Sequence, residues 1–227
     1  MIYCDIHTHQ PALYSEDITI ISIDLFNAII SPEDFLEETN MLNVSEKNGR
    51  IYYSVGIHPW HVDKQFMTKV YEFAKLPSVV AIGETGLDKV TANITADFKL
   101  QQELFVDHII LSEEVGKPLI VHCVKAWDEL LHIRKSLKPS VPWIIHGFRG
   151  RKELAHQLLN SGFYLSFGPL HNKEAVKVAW ENHHIFAETD DSAMNIRDVY
   201  KLLANGLNIS EIELSQEIED LFNSKLF

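Results

Sequence analysis

The sequence predicts an α/β fold, and within that class a (β/α)8 TIM-type barrel that is trimmed and open to distortion. Eight short apolar runs recur along the 227 residues, and a continuous apolar run is typical of a parallel strand buried on both faces. A barrel of this type usually needs about 250 residues, so the length predicts one domain over residues 1–227. The runs cover residues 2–6, 18–25, 51–55, 79–82, 119–121, 143–145, 163–167 and 185–187.

Amphipathic helical patterns lie between most of these runs, as an alternation of strands and helices requires. They cover residues 63–75, 98–115, 126–135, 151–161, 172–181, 196–204 and 210–222. Ser210 and Glu213 predict a capping box at the start of the last helix. Only about eleven residues separate the first two runs, and Pro11 is among them. A crossover helix hardly fits there, so we expect an irregular first β-to-β connection.

The composition excludes several classes of protein. Asp and Glu outnumber Lys and Arg by 32 to 20, and the resulting charge of −12 argues against strong non-specific affinity for DNA. The two cysteines, Cys4 and Cys123, form no CxxC pair, which suits a reducing compartment. There is no signal-peptide pattern and no apolar run of about 18 residues. We therefore expect a cytoplasmic protein with no membrane partner, and no stable protein partner is predicted.

Two histidines follow the first apolar run. His7 and His9 stand two residues apart in the segment DIHTH, and a strand points such residues to the same face. Both imidazoles can therefore reach one ion at a barrel mouth, and histidine nitrogen suits Zn, Fe, Ni and Mn. The alternative interpretation is an exposed turn with no chemical role.

A carboxylate follows the fourth run. Glu84 stands in the segment GETGLD, where we expect the strand to end. A carboxylate at that place can bridge two ions, and Gly83 and Gly86 would allow tight backbone turns close to it. The alternative is a solvated loop acid, which is the usual fate of glutamate.

Three further candidates follow the later runs. His122 and His146 each come after a proline and three apolar residues. A lone histidine in this position is usually a core residue, but the repetition of the pattern favours a shared role as ligands. Asp190 follows the last run, and the alternative for it is a helix N-cap. Glu188, two residues earlier, could support the site or pair with a cation. All these residues follow strands at their carboxyl ends, the face that carries the active site in barrel enzymes.

Taken together, these segments resemble the TatD-type metal-dependent hydrolases of the amidohydrolase superfamily over nearly the whole chain. The resemblance rests on six segments whose order and spacing match: DIHTH at 5–9, GIHPW at 56–60, GETGLD at 83–88, VHC at 121–123, HGFRG at 146–150 and ETD at 188–190. It implies two divalent metal ions and a deoxyribonuclease activity on phosphodiester bonds. The implied roles are His7, His9 and Asp190 on the first ion, His122 and His146 on the second, Glu84 between them, and His58 near the substrate.

The chain departs from this family pattern in its substrate-facing loops. Val124 and Lys125 stand where an arginine usually follows the fifth-strand histidine, and Arg149 replaces a serine. The proline that commonly follows ETD is absent, and the segments after the first strand and after Asp190 are shorter than usual. Lys125 and Arg149 could hold a substrate phosphate; the alternative is ordinary surface charge. These changes leave the ligand set intact.

We therefore expect a metal-dependent hydrolase that acts on ester bonds of single-stranded DNA or short oligonucleotides. Two ions of Mg, Mn, Zn, Fe or Ni would activate a water, with Asp190 as general base and Glu84 as the second catalytic carboxylate. Trp60 would either stack on a base or only pack, whereas Trp127 is expected to pack. A hydrolase of a non-nucleic-acid amide, lactone or aminoacyl ester is the second hypothesis, and a non-enzymatic metal-binding protein is the third.

Overall fold

Eight parallel strands form a single sheet in chain order, from β1 to β8. The computed structural model describes residues 1–26, 31–35, 37, 50–92 and 97–225. The strands are β1 Cys4–Thr8, β2 Ile18–Asp24, β3 Arg50–Gly56, β4 Val79–Asp88, β5 Leu119–Val124, β6 Trp143–Ile145, β7 Phe163–Phe167 and β8 Ile185–Ala187.

The sheet curls until its last strand meets its first. Thr8 and Asp190 form an isolated parallel bridge. The Asp190 amide donates to the His7 carbonyl at 3.0 Å, and the His9 amide donates to the Asp190 carbonyl at 3.3 Å. These bonds bring β8 against β1, so the predicted (β/α)8 barrel is confirmed.

Helices cover the outside of the sheet in the alternation that the sequence predicts. They are α1 Met67–Phe73, preceded by a 3-10 turn over Lys64–Phe66, α2 Lys89–Ala92, α3 Phe98–Val115, α4 Trp127–Leu137, α5 Lys152–Asn160, α6 Lys173–Glu181, α7 Ile196–Leu207 and α8 Glu211–Lys225. Of the helices described, none combines the length and apolar character of a membrane span.

Local sequence signals explain where several helices begin. The predicted capping box forms at α8, where the Glu213 amide donates to Ser210 Oγ and the Ser210 amide donates to Glu213 Oε2. Asn195 caps α7 by accepting from the Asp198 amide. Asp190 is therefore not the N-cap of this helix, which was the alternative considered for it.

Strand β4 differs most from the prediction, because it continues to Asp88 instead of ending at residue 82. Gly83 and Gly86 take positive φ values of 136° and 147° inside this strand, so they do not form turns. A side chain at Gly86 would collide with the His122 carbonyl oxygen. The glycines thus let β4 lie close against β5, and Glu84 lies within a strand and not after one.

The remaining boundaries agree closely with the sequence. Strands β6, β7 and β8 have the predicted bounds, but β1 spans Cys4–Thr8 instead of residues 2–6 and β5 continues to Val124 instead of ending at residue 121. His7 and His122 therefore lie within strands and do not follow them. Residues 9–17 join β1 to β2 without a helix, which confirms the irregular first connection. Both faces of the strands are buried, as a parallel sheet under helices requires. The carboxyl ends of the eight strands form the rim of the barrel.

Candidate metal centre

The six residues predicted as metal ligands converge at the carboxyl-terminal rim of the barrel. His7 and His9 come from β1 and its end, Glu84 from β4, and His122 from β5. In the same rim, His146 directly follows β6 and Asp190 lies three residues after the end of β8. Glu84 is the centre of the group, since every one of the four histidines has a ring nitrogen within 3.5 Å of its carboxylate.

One oxygen of Glu84 faces the β1 histidines. Glu84 Oε2 lies 3.3 Å from His7 Nε2 and 3.5 Å from His9 Nε2. Asp190 Oδ1 lies 3.7 and 3.8 Å from the same two nitrogens. His7, His9 and Asp190 therefore offer three ligand atoms close enough together to hold one ion.

The other oxygen of Glu84 faces a second set of imidazoles. Glu84 Oε1 lies 2.7 Å from His146 Nε2, 2.8 Å from His122 Nδ1 and 3.0 Å from His58 Nε2. His122 Nδ1 and His146 Nε2 are themselves 3.2 Å apart. The carboxylate thus separates two groups of nitrogen ligands, one at each of its oxygens.

The hydrogen bonds within this cluster do not satisfy its buried nitrogens. Neither ring nitrogen of His7 has a hydrogen-bond partner, although the side chain is fully buried. His122 Nε2 and His146 Nδ1 are also buried without a hydrogen bond. Buried polar atoms are normally paired, and imidazole is a common ligand for divalent transition metals. The residues therefore fit a metal centre.

The side chain of Glu84 is ionised in this environment. Burial alone would raise its pKa, but the surrounding imidazoles of His146, His122 and His58 hold the pKa of Glu84 well below its usual range. A negative charge at this position would balance positive charge at either oxygen.

His58 is held in one tautomer. Its Nδ1 accepts from the Trp60 amide at 3.2 Å, and burial lowers the pKa of the ring despite the neighbouring Glu84. The neutral ring therefore carries its proton on Nε2, 3.0 Å from Glu84 Oε1. His58 can therefore present a hydrogen-bond donor to the site.

Asp88 contacts the site although the sequence did not single it out. Its Oδ2 accepts from Trp60 Nε1 at 2.7 Å and lies 3.5 Å from His122 Nε2. Burial opposes its charge, but the nearby His122 ring and hydrogen bonds from Thr91 and Trp60 keep the pKa of Asp88 below its usual range. Its place as the last residue of GETGLD, four residues after Glu84, was the available signal.

Glu188 lies behind the ligand cluster, as a supporting acid would. It is fully buried, accepts from the Gly147 amide, and has Oε1 3.7 Å from His146 Nδ1. Glu188, His146 and Asp190 also have ligand atoms close enough to one another to hold a metal ion.

The two predicted phosphate-binding cations lie at the rim but outside the cluster. Lys125 follows β5 and Arg149 follows β6, and both side chains are exposed. In the described part of the chain neither forms an ion pair. Arg149 lines a cavity of about 270 Å³ together with Glu188 and Asp190. An anion bound in this cavity near Asp190 would therefore lie close to Arg149.

The aromatic residues divide between packing and exposure. Trp127 packs against the buried ring of Phe148, with centroids 5.9 Å apart, so its predicted packing role is confirmed. Trp60 is 50% exposed, and its ring meets the ring of His58 edge-on at 4.7 Å.

Known proteins match both the sequence and the fold. A family model described as TatD related DNase matches residues 4–224. YabD of Bacillus subtilis, named an uncharacterized metal-dependent hydrolase, is 35% identical over 164 residues, which are 67% of this chain and 63% of YabD. YcfH of Escherichia coli K12, which bears the same description, is 29% identical over 210 residues, which are 83% of this chain and 78% of YcfH.

The matched regions cover only part of the length of several relatives. A metal-dependent hydrolase of Buchnera aphidicola, also described as uncharacterized, is 34% identical over 153 residues, 66% of this chain but 54% of that protein. The chain thus spans between about half and two thirds of the first curated relatives.

Solved structures support the fold along the whole chain. YjjV, a TatD homologue from Escherichia coli K12, superposes with a TM-score of 0.76 at 17% identity and covers 99% of this chain and 97% of its own. A hydrolase TatD family protein from Entamoeba histolytica gives 0.74 at 19% identity, with coverage of 99% and 98%.

Proposed function

The chain belongs to the family of TatD-related DNases, and from this premise we propose that it is a metal-dependent hydrolase of phosphodiester bonds in single-stranded DNA or short oligonucleotides. The observation that carries the proposal is the division of ligands between the two oxygens of Glu84. Two groups of imidazoles around one buried carboxylate are what a pair of divalent ions requires.

The proposed ligand sets follow the geometry around Glu84. His7, His9 and Asp190 would hold one ion, His122 and His146 would hold the other, and Glu84 would bridge them. Ions bound there would supply an acidified water and offset charge that develops on substrate oxygen. Mixed imidazole and carboxylate ligands suit Mg, Mn, Zn, Fe or Ni.

Asp190 is proposed as the proton acceptor for the attacking water. Its side chain is 26% exposed while Glu84 is almost completely buried, so substrate and water can approach Asp190 from the mouth. Its Oδ1 lies beside the β1 histidines, which places it at the edge of the cluster and not in its middle. Glu84, held by three imidazoles, would stay ionised and orient the histidines on either side.

Three further side chains would position the substrate. The Nε2 proton of His58 could be donated to a phosphoryl oxygen as the ring turns from Glu84 to substrate. Lys125 and Arg149 would bind phosphate oxygens at the rim, since both are exposed at the ends of neighbouring strands. Their positive charges matter because the chain as a whole carries a charge of −12.

A second candidate function uses the same centre on a smaller substrate. The strong acidic balance of the chain disfavours long polyanions and favours a small substrate such as an amide, lactone or aminoacyl ester. The attacking water and Asp190 would act on a carbonyl carbon in place of phosphorus.

Hydrolysis of a 5′-labelled single-stranded oligonucleotide with Mg²⁺ or Mn²⁺ tests the proposal. We expect Glu84→Ala and Asp190→Asn each to lower the cleavage rate at least about a hundredfold, because the first removes the carboxylate that both ions would share and the second removes the proton acceptor. Asp220→Asn, an exposed acid of α8, is the matched control and should cleave as wild type does. A metal-loaded wild type that leaves the oligonucleotide intact but hydrolyses an ester or amide would replace the first function by the second.

A further inference from the structure

Three aromatic rings stand at the rim beside His58 without a role in holding metal. Phe26 follows β2, and Trp60 and His61 follow β3; we call these three residues the aromatic patch. The ring of Phe26 stacks on that of His61, with centroids 4.7 Å apart and an angle of 9° between planes. The rings of Trp60 and His61 lie 4.7 and 6.4 Å from that of His58. The patch therefore continues directly from the metal centre.

The patch is exposed but held in place. Trp60 is 50% exposed and Phe26 is 38% exposed. Asp24 fixes two members at once, because its Oδ1 accepts from the Phe26 amide and its Oδ2 lies 2.6 Å from His61 Nδ1. Asp88 fixes the third by accepting from Trp60 Nε1. The rings of Trp60 and His61 are held through their own nitrogens, and the ring of Phe26 is held by its stack on His61. Such a surface is prepared for a ligand, since little side-chain freedom is lost when one binds.

The exposure of these rings is unusual for this chain. Among the described residues, the Phe, Trp and Tyr side chains classed as exposed are Tyr14, Phe26 and Trp60. Tyr14 lies in the connection between β1 and β2, with the Arg197 guanidinium 3.7 Å from its centroid, and is not part of the patch. The other two both lie in the aromatic patch, so exposed aromatic surface is concentrated at the candidate site.

The exposed cations and the aromatic patch lie on opposite sides of Glu84, the centre of the ligand cluster. The exposed cations Lys125 and Arg149 follow β5 and β6, whereas the patch follows β2 and β3. Strand β4, which carries Glu84, lies between them in the sheet. If a substrate bound one phosphate at the cations and one base at the patch, its scissile phosphodiester bond would lie over the metal centre.

We propose that the aromatic patch is a nucleobase subsite, on which the base next to the scissile phosphodiester stacks. The proposal rests on the proposed function and adds which part of the substrate the β2–β3 side of the mouth binds. Stacking on aromatic side chains is tolerant of sequence, because every base has a π-face. The subsite therefore favours single strands, whose bases are free, over duplexes.

Binding of a hydrolysis-resistant probe tests the subsite apart from catalysis. The probe is a phosphorothioate-linked thymidine tetramer with a 3′ fluorophore, titrated with metal-loaded protein and followed by fluorescence polarisation. A matched probe has the same backbone and label but four abasic sugars. Trp60→Ala and Phe26→Ala should each weaken binding of the thymidine probe roughly tenfold and leave the abasic probe unchanged.

Conservative variants separate stacking from folding. Trp60→Phe keeps a ring and should bind the thymidine probe within about threefold of wild type, whereas Phe26→Leu keeps the apolar volume without a ring and should resemble Phe26→Ala. Ile110→Ala, a change at an exposed apolar residue of α3, is the control and should bind as wild type does. Circular dichroism of each variant checks the fold.

The proposal is overturned if wild type binds both probes equally, or if the substitutions weaken both probes to the same extent. A base-dependent loss of binding supports it whether or not the native oligonucleotide is cleaved. Failure of cleavage with a normal oligonucleotide would contradict the proposed function by itself, so the two failures are distinguishable.

Discussion

At the scale of single residues, Glu84 organises the site because its two oxygens face different partners. His7 and His9 lie at Oε2, while His122 and His146 lie at Oε1. The sequence predicts all of these residues as ligands, since each follows or ends an apolar strand. It does not predict the division between the oxygens, because that depends on how the side chains turn within the rim.

Residues joined across the fold were harder to predict than residues at strand ends. Asp88 accepts from Trp60, and Asp24 pairs with His61 thirty-seven positions away in the chain. No spacing rule links such partners, since they meet only after the strands are assembled. Asp24 ends β2, so its position at a strand end was the available signal.

A buried histidine outside the rim gives a residue-scale prediction of pH dependence. His108 is completely buried, accepts from the Ile57 amide through Nε2, and has Nδ1 2.8 Å from the Leu104 carbonyl. Burial lowers the pKa of His108 from 6.5 to about 4. The folded state therefore resists protonation that the unfolded chain accepts.

The sign and size of this effect follow from the two pKa values. Stability from neutral His108 is fully present above about pH 6.5 and is lost as the pH falls toward about 4, by roughly 3 kcal/mol in all. His108→Gln can keep both hydrogen bonds but does not titrate. Urea unfolding between pH 4 and 7 should show a shallower pH dependence for this variant than for wild type; parallel curves would refute the assignment.

At the scale of secondary structure, β4 is where the sequence and the structure differ most. The apolar run ends at residue 82, which predicted a strand end, yet the strand continues through GETGLD to Asp88. The continuation depends on Gly86, whose φ of 147° and close approach to the His122 carbonyl exclude a side chain. Hydrophobic patterning identifies buried strands by their apolar residues, so it misses a buried strand segment whose residues are polar.

Gly86→Ala tests this account of β4. We expect a loss of more than about 2 kcal/mol in the free energy of unfolding, because alanine meets both an unfavourable φ and the His122 carbonyl. Gly116→Ala is the matched control: it also has positive φ, at the end of α3, but nothing within 4 Å, so it should lose only about 1 kcal/mol. Equal losses in urea unfolding would show that crowding against β5 does not matter.

The helices were easier to predict than β4 because their signals are local. Helix α3 has the predicted bounds 98–115, with Asp97 as its N-cap and Gly116 in the left-handed conformation at its end. Ser210 and Glu213 form the expected capping box at α8. Caps and periodicity involve residues within about four positions, so the sequence displays them directly.

At the scale of the whole molecule, the barrel brings together residues from both ends of the chain. His7 and Asp190 are 183 positions apart, yet a backbone bond of 3.0 Å between them closes β8 on β1. The candidate metal centre therefore forms only when the sheet is closed. The alternation of apolar runs and helices predicted parallel strands, and the number of runs together with the resemblance of six motifs predicted the closed barrel. The placement of the cations and aromatic rings around the mouth needed the structure.

The proposed whole-molecule activity depends on the pair of ions that Glu84 would hold between the two groups of histidines. The measurement that tests this most directly is the metal content of wild type and Glu84→Ala after equilibrium dialysis against Zn²⁺ or Mn²⁺. The account predicts two ions per chain in wild type and fewer than two in the variant at the same free metal concentration, because both ions would lose a shared ligand. A wild type that binds no more than one ion, or a variant that binds two as tightly as wild type, would contradict it.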